Sequence, residues 1–302
     1  MKEHLMRFGG EDARPTNYEQ SRVVVVPLPY EGTVSYGEGA SRGPDAILQA
    51  SSQLEMYDEE LEREVDEVGL FTLPPVVAAP GDTPESYMQA IHQAALPPAQ
   101  DGKLLLGLGG EHSVTYGLWT ALLEARGGKP FSILQLDAHA DLRPTYHDTP
   151  HSHACIMARA HELGLPFVQV GIRSLSAPEA RFLKSTGLEA NMFFAHKVAA
   201  TNDERWMEQV LERLGDEVFV TFDIDGLDPS LVPGTGTPEP GGLQWYPTLR
   251  LLRQVATHKT IIGMDINEVA PIEGSHASEF VAARLAWKMV GYATHPPALT
   301  IA

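Results

Sequence analysis

The stretch Leu134-Gln135-Leu136-Asp137-Ala138-His139-Ala140-Asp141 constrains the fold of this chain more than any other. It begins inside the apolar run 131–136 and ends in two aspartates and a histidine at alternate positions. An apolar run of this length reads as a strand buried on both faces. Side chains at i, i+2 and i+4 of an extended chain share a face, so Asp137, His139 and Asp141 are expected to converge at the strand's C-terminal edge. Open α/β sheets place their sites along that edge. Two carboxylates and an imidazole crowded together call for a cation, because carboxylates repel one another. The alternative reading is a polar turn carrying surface acids.

The same pattern recurs along the chain. Residues 23–27, 103–106, 167–172, 191–195, 217–222 and 261–266 read as further strands. Segments beginning near Pro44 and spanning 83–95, 153–163, 177–187, 203–214, 248–257 and 278–292 read as helices, with another leading from Ser113 to about Ala125. Strand alternating with helix implies an α/β fold, a mostly parallel sheet with helices on both faces. No interdomain linker, repeat or low-complexity segment breaks the pattern, so residues 1–302 are expected to form one domain, with 1–20 as a loose N-terminal arm. The acid-rich run 54–67 reads as a solvated face or edge.

Charge narrows the partners. Acids outnumber bases 40 to 22, a formal charge of −18, which argues against nucleic acid or an anionic membrane and is compatible with a cationic small molecule. The single cysteine, Cys155, excludes an internal disulfide and reads as a small packing residue. The polar stretch 1–17 lacks the apolar core of a signal peptide, and no run is apolar enough to span a membrane. A cytoplasmic location is the expectation.

Four strand ends carry the chemistry: His112, then Asp137/His139/Asp141, then Asp223/Asp225, then Glu268. The glycines of Gly107-Leu108-Gly109-Gly110-Glu111-His112-Ser113 invite a dinucleotide reading, but the third glycine of that fingerprint falls on His112. Carboxylates with few imidazoles suit a hard or borderline divalent ion such as manganese. Six potential ligands exceed what one catalytic ion needs and suit two ions sharing bridging carboxylates. Water between two such ions is strongly acidified, which makes a nucleophile for hydrolysis.

The blocks GGEHS at 109–113, DAHAD at 137–141, SHAC at 152–155, FDIDGLDP at 222–229, GTGTPEPGG at 234–242 and DINEVAP at 265–271 together resemble the ureohydrolases, the arginase/agmatinase family. The resemblance spans about residues 23–292 and implies a three-layer α/β/α sandwich, arginase-like. It implies that His112, Asp137, Asp141 and Asp223 hold one Mn2+ and that Asp137, His139, Asp223 and Asp225 hold a second, with Asp137 and Asp223 bridging. It further implies that Asp141 orients the attacking water, that Glu268 grips a guanidinium, and that His153 carries a proton to the departing amine. The substrate would then be a small cationic guanidino compound and the products urea and an amine. Family members are usually trimers or hexamers, so a homo-oligomer is expected.

The segment 29–48 resembles bacterial and archaeal agmatinases, which favours agmatine, cleaved to putrescine and urea. The loop 143–151 lacks the asparagine- and serine-rich character of the arginine-specific branch. It departs from the agmatinase pattern at Pro144 and at His151, where the substrate's tail is expected to be read. Aminopropylagmatine, guanidinobutyrate, guanidine and arginine therefore stay open as substrates. Asp228, before a proline, reads as a turn acid, and Thr237 as either a cleft or a loop-shaping residue. Of the rival classes, a two-metal phosphohydrolase would want basic residues at the metals, and the related single-zinc deacetylases would not keep the second aspartate pair. A non-catalytic metal-binding homologue is the third alternative.

Overall fold

A computed structural model describes residues 6–201 and 203–295. Its centre is a parallel sheet of eight strands in the order β4-β1-β5-β10-β9-β6-β7-β8. The strands are β1 (Val23–Leu28), β4 (Leu70–Thr72), β5 (Leu104–Gly109), β6 (Ser132–Leu136), β7 (Phe167–Ile172), β8 (Met192–Phe194), β9 (Glu217–Asp223) and β10 (Thr260–Asn267); a short antiparallel hairpin, β2 (Tyr57–Asp58) and β3 (Arg63–Glu64), lies outside it. The α-helices are α1 (Gly43–Ser51), α2 (Pro84–Gln100), α3 (Thr115–Ala125), α4 (Ile156–Glu162), α5 (Ala177–Thr186), α6 (Ala195–Ala199), α7 (Arg205–Arg213), α8 (Trp245–His258) and α9 (Ala277–Thr294), and short 3-10 turns, His112–Val114, His153–Cys155 and Ile224–Gly226 among them, join elements of the described chain.

Alternation along the strands separates two cores, which is how a sheet covered on both faces is built. Val23 and Val25 face a cluster with Ile47 of α1, Val210 of α7, Leu252 of α8 and Trp287 of α9. Val24 and Val26 face the other way, onto Ile91 of α2, Trp119 of α3, Ile156 of α4 and Leu183 of α5. The result is the expected three-layer α/β/α sandwich. Local signals set several ends. In α5, Ser176 and Glu179 form a reciprocal capping box, and Gly187 closes the helix in the left-handed region at φ 76°. Helix α2 runs past the expected end through Pro97 and Pro98, whose carbonyls still accept from Asp101 N and Lys103 N.

Strand order is what positions the site. The chain leaves β5, skips two places to β6, and later returns to fill the gap with β9 and β10. The four strands whose ends carry the acids and histidines, β5, β10, β9 and β6, are thereby neighbours at the middle of the sheet.

Two expectations need correction. Residues 6–20 of the expected loose arm are packed: Phe8 is buried and stacks on Trp287 with ring centroids 6.1 Å apart, and Gly9 N donates to Ser51 Oγ at 2.9 Å. Buried Ala13, Tyr18 packed edge-on against Phe71 and Arg14 N donating to Asp66 Oδ2 add to the anchor. Nor is the acid run 54–67 wholly solvated. Asp58 and Asp66 are buried, and α9 supplies the buried Lys288, whose Nζ lies 3.0 Å from Asp58 Oδ2 and 2.9 Å from Glu59 Oε1.

Candidate metal centre

Strand β9 ends on Asp223, which is still in register with Asn267, while β5, β6 and β10 deliver His112, Asp137 and Glu268 beyond their last residues. Strand β6 stops at Leu136, so Asp137, His139 and Asp141 do not converge by simple strand alternation; the chain turns, and Asp141 sits in the left-handed region at φ 50°. A non-glycine residue there is strained and must be held by its surroundings. Its carbonyl accepts from Met157 N and Ala158 N at 3.0 and 3.2 Å, and the next amide, Leu142 N, donates to Glu179 Oε1 at 2.9 Å. Glu268, after β10, is the other strained site residue, at φ 65°. Its N–H donates to Gly110 O at 2.7 Å, and its Oε1 accepts from His112 N at 2.7 Å. The glycine pair of GGEHS serves close packing: a Cβ on Gly110 would lie 2.0 Å from Tyr30 O, and one on Gly109 1.9 Å from Asn267 Oδ1.

Two triads result, with ligand atoms mutually within 4.8 Å: His112, Asp137 and Asp223, and Asp137, His139 and Asp225. Asp137 belongs to both. His112 Nδ1 lies 3.2 Å from Asp137 Oδ2, 3.4 Å from Asp223 Oδ2 and 3.7 Å from Asp141 Oδ2. His139 Nδ1 lies 2.9 Å from Asp225 Oδ2 and 3.7 Å from Asp137 Oδ1. Asp223 falls in the first triad only, and its Oδ1 accepts from Asp225 N at 2.9 Å. Arg173 steadies this corner by donating to the carbonyls of Asp225 and Glu239, both at 2.6 Å.

Residues that suit a metal can be told from residues that merely crowd by the free nitrogen of His112. Thr221 Oγ1 donates to Asp265 Oδ1 at 2.7 Å, so its single hydrogen is used. His112 Nε2, 2.7 Å from the same hydroxyl, must then be the donor, which turns Nδ1 toward the carboxylates; burial opposes a charge there, but Asp137 and Asp223 raise His112 well above its ordinary value, so Nδ1 holds a proton until a metal ion displaces it. That atom is fully buried, has no hydrogen-bond partner, and faces three carboxylates. A cation resolves this arrangement. Asp265, Thr221 and Gln135 were not singled out by sequence, nor was Gln169; the register shows them as one polar rung running across β10, β9, β6 and β7 beneath the triads. Gln135 Nε2 donates to Asp137 Oδ2 at 2.6 Å, and Gln169 Nε2 donates to Gln135 Oε1. Polar residues inside otherwise apolar strand runs were the available signal.

Charge at the site points the same way. Burial first, then the neighbouring charges of Asp137 and Asp225 respectively, raise Asp141 and Asp223 well above the usual carboxylate range. Burial opposes ionisation of His139, yet Asp137 and Asp225 hold it up to about 12. A site that draws protons this strongly exchanges them for divalent cations. Glu268 is pushed up to about 8, by burial and then by the charge of Glu111. His153 goes the other way, down to about 4, through burial and then the positive charges of His139 and His112.

His112, His139, Asp141, His153, Asp223, Asp225 and Glu268 open into one cleft of about 250 Å³, lined also by Tyr36, Arg143, Tyr146, Glu179 and Thr237, with Asp137 buried behind them. Of the two loop positions that depart from the agmatinase pattern, neither lines it. Pro144 borders an adjoining cavity, and His151 packs edge-on against Tyr116 at 4.8 Å. Arg143 and Tyr146 face the cleft instead, with the guanidinium 5.1 Å from the ring centroid. Asp228 lies outside and shapes its turn by accepting from Ser230, Gly241 and Gly242. Cys155 is buried.

The depressed His153 has a consequence for stability. Its folded value of about 4 lies below the ordinary 6.5, so between those limits the unfolded chain binds a proton that the folded chain refuses. The stability it contributes is whole above pH 6.5 and is lost as pH falls toward 4. His153→Gln is therefore expected to flatten the acid side of the denaturation-midpoint profile in that window. Parallel profiles for the two proteins would contradict the half-buried, neutral imidazole.

The Arginase family profile matches residues 21–291. Among relatives, the N(1)-aminopropylagmatine ureohydrolase of Synechocystis sp. is 39% identical over 92% of this chain and 90% of its own length. The agmatinase of Pyrococcus horikoshii is 33% identical over 89% of this chain and 90% of its own. Among solved structures, the agmatine ureohydrolase of Thermoplasma volcanium superimposes with a TM-score of 0.84 at 28% identity, over 96% of this chain and 95% of that one. Among the described residues no helix is long and apolar enough to cross a membrane.

Proposed function

The chain belongs to the arginase family and is a ureohydrolase, and from that premise we propose that it hydrolyses the guanidino group of N(1)-aminopropylagmatine, releasing urea and a triamine. The observation that carries the reaction is Glu268: a carboxylate lining the same cleft as His112, His139, Asp223 and Asp225, which belong to two acid–imidazole triads sharing Asp137. The choice of substrate is supported by the higher identity to the aminopropylagmatine ureohydrolase than to the agmatinase. Agmatine is the second reading, supported by the resemblance of segment 29–48 to agmatinases. It needs the same site and a shorter tail.

The triads are assigned to two Mn2+, which the donor set of carboxylates and two imidazoles suits. When bound, such a pair supplies the Lewis acidity that makes water nucleophilic near neutral pH. The rest falls to the chain. Glu268 accepts the forked N–H donors of the guanidinium, fixing its plane and turning its carbon toward the triads. Asp141, at the first triad, accepts the hydrogen bond that orients the attacking water. His153, whose protonated form gives up its proton readily because burial and nearby cations oppose the charge, passes that proton to the leaving amine.

The test is urea release by Mn2+-loaded protein from aminopropylagmatine, agmatine, arginine, guanidinobutyrate and guanidine, side by side. The expected result is a kcat/KM for aminopropylagmatine at least about tenfold above agmatine, the discrimination that one buried polar contact gives. A preference for agmatine keeps the reaction and discards this substrate. No urea from any of the five discards the reaction itself.

A further inference from the structure

His153 needs more than proximity to move a proton in one direction: one ring nitrogen must be bare and facing the cleft. Two residues outside the assigned machinery bear on which one. Glu111, the acid of GGEHS, is completely buried and has no role in the scheme above. Its carboxylate collects three donors: Thr33 N at 2.6 Å, Thr33 Oγ1 at 2.8 Å and Ser113 Oγ at 2.5 Å. Thr33, itself buried, reaches His153 with the same hydroxyl oxygen, which lies 3.2 Å from the ring Nδ1 and 3.2 Å from the backbone N–H of His153.

From these contacts we propose that Glu111 and Thr33 are positioning residues that fix the tautomer of His153, with Nδ1 protonated and Nε2 bare toward the cleft. The argument is one of hydrogen counting. A threonine hydroxyl has one hydrogen. Glu111 Oε1 takes it, so Thr33 Oγ1 offers only lone pairs to His153. The backbone N–H fills one of them, and the ring can fill the other only as a donor from Nδ1. Ser152 Oγ, 3.4 Å from Nδ1, can accept the same hydrogen. The arrangement repeats, on a different histidine, the Asp265–Thr221–His112 series that fixes Nε2 of His112 as a donor and turns Nδ1 to the carboxylates. In both, a buried carboxylate commits a threonine hydrogen, and the committed threonine selects the imidazole tautomer. A carboxylate acting directly on the ring would instead stabilise the imidazolium and hold its proton; the threonine in between orients the ring without that penalty.

The purely structural alternative is that Glu111 only clamps the loop 29–33 to the turn after β5. Thr33→Val separates the two roles. It keeps the shape and the backbone N–H to Glu111 and removes only the hydroxyl, whereas Thr33→Ser keeps the hydroxyl and removes the methyl. The inference rests on the proton-carrying role of His153, so its first readout is independent of turnover. Imidazole 15N shifts are recorded on protein loaded with diamagnetic Mg2+, with His153 identified by loss of its signals in His153→Gln. The wild type and Thr33→Ser are expected to show the Nδ1–H tautomer, and Thr33→Val a mixture or the Nε2–H form. In the second readout, Thr33→Val is expected to lower kcat by about tenfold or more, toward the roughly 10²–10⁴-fold that general acid–base catalysis contributes. KM and metal content should not change, and Thr33→Ser should recover most of the rate. An unchanged tautomer in Thr33→Val overturns the proposal, as does a serine variant as slow as the valine one. A tautomer that switches while no guanidino compound is turned over leaves the positioning intact and refutes the assigned reaction instead.

Discussion

Alanine at position 137 is expected to abolish binding at both cation positions and to take urea release below detection. Asp137 is the one residue common to the two triads. Its Oδ2 is the oxygen nearest His112 Nδ1, at 3.2 Å, and its Oδ1 lies 3.7 Å from His139 Nδ1. Losing an outer hydrogen-bond partner of a metal ligand typically costs about 10–100-fold, which is the effect expected for Thr221→Val. Losing the shared ligand should exceed it. The substitution is destabilising with or without the cations. Without them, it removes the carboxylate that His112 and His139 hold in its ionised form against burial, and it orphans Gln135 Nε2 and His139 N, which both donate to it. With them, wild-type protein gains roughly 2.7 kcal/mol at a free cation concentration 100-fold above Kd, and the variant gains nothing. The checks are metal content by mass spectrometry after desalting and the melting temperature with and without Mn2+. A variant that keeps one stoichiometric ion, or still melts later with Mn2+, would show that the triads do not share this oxygen pair.

How much of this was legible beforehand follows from what each part depends on. The strands and helices were legible because burial on two faces leaves β-branched runs such as Val23–Val26, and helices between them leave their own period. The acids at the strand ends were legible because nothing in a core explains Asp137 or Asp223 after such runs. Strand order was not. Whether β9 and β10 fill the gap between β5 and β6 is decided by contacts distant in sequence, so the four ends could be named but not arranged by residue reading alone. The polar rung was missed for a related reason. Gln135, Gln169 and Thr221 each read as a blemish in an apolar run, and only the register aligns them beneath Asp137 and Asp223. The route of Asp141 into the site, through a left-handed turn held by α4 and Glu179, likewise leaves no pattern in the residues themselves. At the tail-reading loop, sequence comparison pointed to Pro144 and His151, whereas the cleft is lined by Arg143 and Tyr146.

Glu268→Gln is expected to destroy turnover while leaving the fold and both cations in place. The carboxylate divides its work. Oε1 accepts from His112 N at 2.7 Å, a bond that ties β10's end to the turn after β5, and a glutamine carbonyl can make the same bond. What remains in the cleft is then an amide NH2, a donor facing a guanidinium that has only donors, with the negative charge gone. Hydrogen bonds to charged groups contribute about 1.5–3 kcal/mol each, so losing a two-pronged pair should lower kcat/KM by roughly 10²–10⁴-fold. Burial and Glu111 push Glu268 up to about 8, and cations at the triads would pull it back toward the ionised form the substrate requires. The wild type should therefore lose kcat/KM on the acid side as Glu268 protonates, and the glutamine variant should lack that limb in whatever activity survives. Metal content and denaturation midpoint close to wild type, with kcat/KM reduced on every guanidino compound, is the expected combination. Near-normal kinetics would remove Glu268 from substrate binding. A variant that loses its cations as well would mean that the His112 N bond, and not the guanidinium contact, is the function of this carboxylate.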